Sequence, residues 1–579
     1  MTSRPEPGMN ANVETRRTFL RGVAGIATAG TIPLAPAIAR EAQDQPTTSE
    51  THPPGDAPIS SETFLHAEKL AGVRFTDSER ATLLKSIEDE LKRRLSRRSI
   101  DLPNELAPAS VFDPRLPGAA VNVETRFVRS DAEPGPLPVN DEDIAFSPLT
   151  HLSRWIERRQ LTSSRLTQIY LERLKRLGPT LECVVTLTEE LALQQARRAD
   201  AELASGRWRG PLHGIPWGAK DLLDTAGIRT TWGAEPYVDR VPTSNAAVVD
   251  LLEQAGAVLV AKLTLGALAY GDFWFDGKTR SPWDLSRGSS GSSAGSASAT
   301  AAGLVGFSIG TETYGSIVSP SMVCGTTGLR PTFGRVSRRG AMALCWSLDK
   351  IGPICRTVED CALVLNAING HDASDASSID MPLHFDAGAS LEGLRIGFAA
   401  PWFDGKGSTD VDRAAIDAMR RLPRVNLIEI DLPDWPYDSL LTILLAEAAS
   451  AFEQLTLTNR DDELDWQEPE AWPNTFRQTW FTPAIDLVQA DRFRRRVMHM
   501  MAEQFAKVDV IVSPSFAANL LLITNMTGHP CLTLRAGFED EKTPRGITLW
   551  GRLFHEGTLC RLGMMLEREL GVWDRRPPL

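Results

Sequence analysis

Two stretches far apart in the chain hold residue types that could do chemistry: one ends in Lys220, and the other is serine-rich, from Gly291 to Ser298. Lys220 ends an apolar, Gly-rich approach, "GIPWGAK". A lysine held in such surroundings loses hydration, its pKa falls, and its neutral amine becomes a usable base near neutral pH. The second stretch, "GSSAGSAS" (Gly291 to Ser298), has a composition that taken alone is that of a flexible linker. A serine that gives its proton to a neutral lysine attacks a carbonyl and forms an acyl-enzyme.

Other chemistries find less support. None of the nine histidines falls in H-E-x-x-H, H-x-H or a G-x-S-x-G elbow. His213 in "PLHGIPWGAKD" and His529 in "TGHPC" fit hydrogen-bonding roles in turns. "GIPWGAK" is too short for a phosphate loop, and Asp221 stands where a Ser or Thr would bind magnesium. Carboxylates are abundant, but nothing selects a glycosidase pair. Seven cysteines, at 183, 324, 345, 355, 361, 531 and 560, include no C-x-x-C or metal-like spacing. They are expected to be buried free thiols, and no cofactor or metal is implied.

The elements that must position these residues follow from periodicity. "SSRLTQIYLERLKRL" puts Leu166, Ile169, Tyr170 and Leu174 on one helical side, and "TEELALQQARRADAELASG" is a second helix stopped by Gly206. Short apolar runs bounded by Gly, "GAVLVAKLTL" and "AAGLVGFSIGTETYGS", predict buried strands. "LRIGFA", "VNLIEIDL" and "KVDVIVSPS" predict further strands, with the helix "DVDRAAIDAMRRL" among them. Helices alternating with short apolar strands make the fold class α/β, a helix-covered sheet, with a mainly helical N-terminal extension.

At 579 residues, 42% apolar and 23% charged, the chain is globular, and its net charge of -12 argues against nucleic acid and anionic membranes as partners. The N-terminus is a separate object. "TRRTFLRG" precedes a mildly apolar, Pro-broken stretch ending in Ala37-Ile38-Ala39, the pattern of a twin-arginine export signal over residues 1–39. Arg16 and Arg17 would be recognised by the export machinery, placing the mature protein, without a membrane anchor, in the periplasm or outside the cell. Residues 40–60 have a disordered linker's composition, and 61–150 form a helical and wrapping segment before a main domain at 151–579. Within that segment, Thr76 and Glu79 of "TDSE" predict a capping box opening a helix that continues through "RATLLKSIEDELKRRLSRR".

From about residue 150 to its end the chain resembles the amidase signature family, serine hydrolases of amides with a Ser–cis-Ser–Lys triad. "PLHGIPWGAKDLLDTAG", "GSSAGSASATAAG", "GTETYGSIVSP", "CGTTGLRPTFGRVSRRG", "SLDKIGPICRTVEDCALVL" and, more faintly, "TNMTGHPCLTL" carry the resemblance in order. The family separates its cis-serine from its nucleophile by 24 residues; counting from Ser292 lands on Ser316, whereas counting from Ser289 lands on Thr313. The resemblance thus implies a large mixed sheet covered by helices on both faces, with Lys220 as base, Ser292 as the bridging serine, Ser316 as nucleophile, and an oxyanion hole from the backbone N–H groups of Thr313, Tyr314, Gly315 and Ser316. Losing one such donor typically costs about 3 kcal/mol in the transition state.

Departures cluster at that turn. Tyr314 replaces a usual Gly, Glu312 a usual Asp, and Val318 a usual Arg; Ser290 and Ala294 stand for glycines. A negative φ at Tyr314 keeps the N–H donor and makes the phenol a wall of the pocket; a positive one would compromise the hole. Without the Arg, Glu312 must find another donor or lie partly exposed.

Some family members supply ammonia for glutaminyl-tRNA formation within a complex, a role that an exported chain does not fit. The expected activity is hydrolysis of linear amides: small amides, aryl or acyl amides, or amidated peptides. Trp466, Trp472, Phe476, Trp480 and Phe481 are candidates for an apolar acyl pocket, or for packing a helical cover. A non-catalytic exported binding protein and an esterase-preferring hydrolase are the alternatives.

Overall fold

The computed structural model describes residues 59–100, 102–119, 124–405 and 407–579. Arg16, Arg17 and the rest of the expected export signal, with most of the 40–60 segment, lie outside these residues.

Alternating strands and helices build one large sheet of eleven strands among the described residues. In chain order these are β1 (Val184–Leu187), β2 (Pro216–Lys220), β3 (Val258–Leu263), β4 (Phe307–Glu312), β5 (Thr327–Arg330) and β6 (Lys350–Cys355), then β7 (Leu394–Phe398), β8 (Val425–Glu429), β9 (Val510–Pro514), β10 (Cys531–Phe538) and β11 (Pro544–Gly551). Their spatial order is β8-β7-β9-β11-β10-β5-β6-β4-β2-β3-β1. The sheet is mixed: β2 runs parallel to both β3 and β4, while β6 runs antiparallel to β4 and β5. Every residue of β2 through β6 is buried, so both faces of the central strands are covered, as the apolar runs at β3 and β4 require. Trp217 of β2 stacks on Phe307 of β4, with ring centroids 6.1 Å apart.

Strands β1, β2, β5, β6, β10 and β11 went unpredicted. Five of the eight residues of the linker-like stretch are also regular structure. Ala294–Ala301 is a helix, and all eight of its residues are buried. Its composition follows from crowding: a side chain at Gly295 would lie 2.5 Å from the Cys183 carbonyl oxygen and the Thr264 nitrogen. Serine and alanine are what fit, and burial replaces helix propensity as the stabilising term.

The N-terminal extension is helical, as expected, but its long helix is two. Thr76 and Glu79 form the capping box of Asp77–Leu83; the chain turns at 84–86 and resumes as Ile87–Arg97. The wrapping segment is tied down at Arg126–Val128, a short strand parallel to His384–Asp386.

Candidate active site

The C-terminal ends of the parallel strands β2 and β4 lie beside the N-terminal end of antiparallel β6, which brings Lys220, Thr311, Glu312 and Lys350 into one region. Crevices at such strand ends are where open α/β sheets place their ligands. Lys220 is fully buried, and its Nζ lies 2.9 Å from Ser292 Oγ, 3.1 Å from Ser293 Oγ and 2.8 Å from Thr311 Oγ1. Burial pushes its pKa down to about 7 against the opposing charges of Asp349 and Glu312.

The partners of Ser293 decide how a neutral Lys220 is oriented. Ser293 Oγ donates to the Thr311 carbonyl at 3.1 Å and accepts from Thr311 N–H at 3.1 Å, so toward the lysine it acts as an acceptor. A neutral amine has two N–H donors and one lone pair. With the donors directed at Ser293 Oγ and Thr311 Oγ1, the lone pair is left for the Ser292 hydroxyl. Ser293 and Thr311 were not singled out from sequence; one clue was available, since "GSS" offers two adjacent serines for one bridging role.

The peptide between Gly291 and Ser292 is cis. Gly291 meets a steric demand there, because a Cβ would come within 1.8 Å of the Gly271 carbonyl oxygen. Ser290 holds a left-handed φ of 59°, and is fixed through its N–H to Asp272 at 3.0 Å and its hydroxyl to Ser319 at 2.6 Å.

Ser316 sits at the end of the turn after β4 and lines a small pocket of about 80 Å³ with Gly291, Thr313 and Tyr314. Its carbonyl accepts from Ser293 N–H at 3.1 Å, which ties the Ser316 turn to the loop carrying Ser292. The Gly315 carbonyl accepts from Ser319 N–H at 2.7 Å; in a trans peptide the Ser316 N–H then points the opposite way, away from the following helix. The left-handed φ of 92° in the turn falls on Gly315, and Tyr314 is not among the positive-φ residues. Its ring is partly buried at the pocket wall.

Glu312 has found another cation. Burial alone would raise its pKa, but Arg330 Nη1 at 2.7 Å, the Val318 N–H at 3.0 Å and Asn525 at 2.9 Å hold it below the usual range. The Ile317 N–H adds a fourth donor at 2.8 Å, so this carboxylate clamps the chain immediately after Ser316. On the other side, Thr313 Oγ1 donates to Asp349 at 2.5 Å, and the other Asp349 oxygen accepts from Leu344 N–H and Cys345 N–H.

Other titratable groups nearby are otherwise engaged. Lys262 pairs with Asp221 at 3.2 Å, both fully buried. His213 Nε2 is bound to the Ala199 carbonyl at 2.9 Å. Burial and Arg330 push the pKa of His529 down to about 3, and its Nδ1 bonds Thr527 at 2.8 Å. The seven cysteines are free and buried.

The five aromatics are scattered. Trp472 lines the Ser316 pocket. Trp466 stacks on Tyr270, another wall residue, at 5.2 Å. Phe476 is fully buried between Trp472 and Phe452, a packing role. Trp480 lies under Arg98 on an outer depression, and Phe481 is 63% exposed; neither lines the Ser316 pocket.

A sequence model of the family Amidase matches residues 165–524. The chain is 33% identical over 476 residues to a glutamyl-tRNA(Gln) amidotransferase subunit from Moorella thermoacetica, covering 74% of this chain and 97% of that one. Its structure is similar to that of peptide amidase from Stenotrophomonas maltophilia, with a TM-score of 0.66 and 29% identity over 75% of this chain and 98% of the other. A bacterial aryl acylamidase of the amidase signature enzymes shares the fold at a TM-score of 0.66 and 19% identity, with 74% and 98% covered. The family match, this relative and the buried lysine–serine contact agree, and the chain belongs to the amidase signature family.

Proposed function

We propose that this hydrolase is an amidase that cleaves the C–N bond of linear carboxylic amides through an acyl-enzyme on Ser316. The observation that carries the reading is the buried Lys220 amine, 2.9 Å from Ser292 Oγ with its other contacts made to acceptors. Neutral Lys220 takes the Ser292 proton as Ser292 takes that of Ser316, and Ser316 Oγ attacks the amide carbon. Backbone N–H groups of the turn Thr313–Ser316 receive the negative charge that develops on the oxygen. The proton returns along the same path to the leaving nitrogen, the C–N bond breaks, and an ester to Ser316 remains. Water then attacks that ester by the same relay, releasing the acid and restoring the serine.

A fluorophosphonate probe followed by intact mass tests the nucleophile. The wild-type protein gains one phosphonyl group with loss of fluoride, and Ser316→Ala gains none. Absence of labelling in folded wild-type protein would favour the binding-protein alternative. Matched aryl amides and aryl esters then separate an amidase from an esterase.

We further propose that the protein is exported through the twin-arginine route by Arg16 and Arg17, and that its mature form acts on small amides or amidated peptides outside the cytoplasm. The arginine pair and the Ala37-Ile38-Ala39 site support this. In cell fractions, Arg16→Lys with Arg17→Lys should leave the uncleaved precursor in the cytoplasm.

A further inference from the structure

Next to the Ser316 pocket lies a much larger chamber of about 500 Å³, and the two share Ala269, Thr313 and Leu344 as common lining. Small-molecule sites typically occupy roughly 300–1,000 Å³. The pocket at Ser316, at about 80 Å³, accommodates little beyond the reacting group, so the bulk of a larger substrate must lie elsewhere. Thr311, Thr313, Lys350 and Trp346 are among the residues that line the chamber.

Part of its lining comes from outside the family match. Residues Asn104 to Pro108 line this chamber and also the outer depression of about 920 Å³. The matched region begins only at residue 165. Asn104 fastens this strap with four hydrogen bonds. Its side chain donates to the Ala343 carbonyl at 2.8 Å and to the Ala451 carbonyl at 3.3 Å, and accepts from Ala343 N–H at 2.8 Å. Its carbonyl accepts from Trp346 Nε1 at 3.2 Å. The residues that follow in that loop, Leu344 and Cys345, donate to Asp349, and Asp349 holds Thr313 of the nucleophile turn.

Resting on the amidase reading above, we infer that the strap Asn104–Pro108 is a substrate-binding element of this enzyme. It walls the chamber that takes the part of the substrate remote from the scissile amide, and Asn104 is the positioning residue that holds it there. The walls specify the ligand's chemistry. Trp346 offers apolar surface, Leu106 of the strap is 55% exposed, and Lys350 contributes a buried amine. This mixture suits an extended, hydrogen-bonding chain such as an oligopeptide amide better than a short alkyl amide.

The test is equilibrium binding of an N-acetylated tripeptide amide to Ser316→Ala protein, which cannot turn it over, alone and combined with Ala107→Trp or Asn104→Ala. Ala107 is exposed on the strap and lines the chamber, so the tryptophan adds bulk there without disturbing the core. We expect Kd to rise at least tenfold with Ala107→Trp and several-fold with Asn104→Ala. No binding of the tripeptide amide, or a Kd unchanged by Ala107→Trp, would overturn the inference. A compact fluorophosphonate on the Ser316-bearing protein reads the catalytic proposal separately: it should label wild type and Ala107→Trp at equal rates. Equal slowing of that compact probe and of tripeptide binding would mean that the strap supports the turn alone, and the chamber assignment would fall.

Discussion

Ser293 Oγ is fixed by Thr311 from both directions, donating to its carbonyl and accepting from its N–H, each at 3.1 Å. A hydroxyl committed in this way can only accept from Lys220, and that sets which part of the neutral amine faces Ser292. In the proposed relay, the serine next to the bridging serine thus helps turn the lone pair of Lys220 toward Ser292.

Ser293→Ala removes this constraint and leaves the Thr311 N–H without its side-chain partner. Unmaking a buried hydrogen bond costs about 1–3 kcal/mol. We expect kcat to fall about 10- to 100-fold with little change in KM, measured by steady-state kinetics on one amide. An effect confined to KM would show that Ser293 contacts substrate instead of orienting the base.

In the proposed relay the neutral form of Lys220 is the active one, so kcat/KM should rise with pH through a limb near 7, where burial has brought its pKa. Lys350 is also buried and brought down to about 7, by burial and then by Arg330, so it needs its own control. Lys350→Met should keep the limb, whereas Lys220→Met should abolish turnover. Stability has its own sign. The unfolded chain binds the Lys220 proton above pH 7 and the folded chain does not, so this group makes folding more favourable as pH rises above 7. Near and below pH 7 its burial costs stability, and Lys220→Met should therefore unfold at a higher denaturant concentration at pH 6.

Glu312→Ala leaves Arg330 buried without its carboxylate and frees the Ile317 and Val318 N–H groups. Breaking a buried pair by removing one partner costs about 3–5 kcal/mol. Denaturant unfolding should register a loss of that order. Glu312→Gln keeps the shape and part of the hydrogen bonding, and should lie between the two. A wild-type midpoint in Glu312→Ala would show that the clamp contributes nothing to the fold.

Tyr314 occupies a wall of the pocket that holds Ser316. Tyr314→Gly widens this pocket, and the ratio of kcat/KM for long against short acyl groups should shift about tenfold toward the long ones, a typical worth for added apolar contact in a pocket. Tyr314→Phe keeps the wall and should keep the ratio. A ratio that moves equally in both variants would assign the effect to the phenol oxygen.

Much of this molecule was legible in the sequence because it depends on local patterns. Buried central strands announce themselves as apolar runs, as at Val258–Leu263 and Phe307–Glu312, and the capping box at Thr76 is a statement about four consecutive residues. The choice of Ser292 over Ser289 came from the family's 24-residue spacing, carried over by resemblance. The three candidate residues, Lys220, Ser292 and Ser316, were named from type, spacing and resemblance.

Tertiary structure decided what depends on neighbours distant in the chain. Whether a Ser-Gly stretch is a linker or a buried helix turns on what crowds it, and at Gly295 the crowding groups are Cys183 and Thr264. Arg330 replaces the missing cation at Val318 because β4, β5 and β6 are neighbours in the sheet. Ser293 and Thr311, 18 residues apart, meet only once the loop is folded against β4. Composition and spacing act along the chain, whereas the orientation of a proton depends on which acceptors surround it in space.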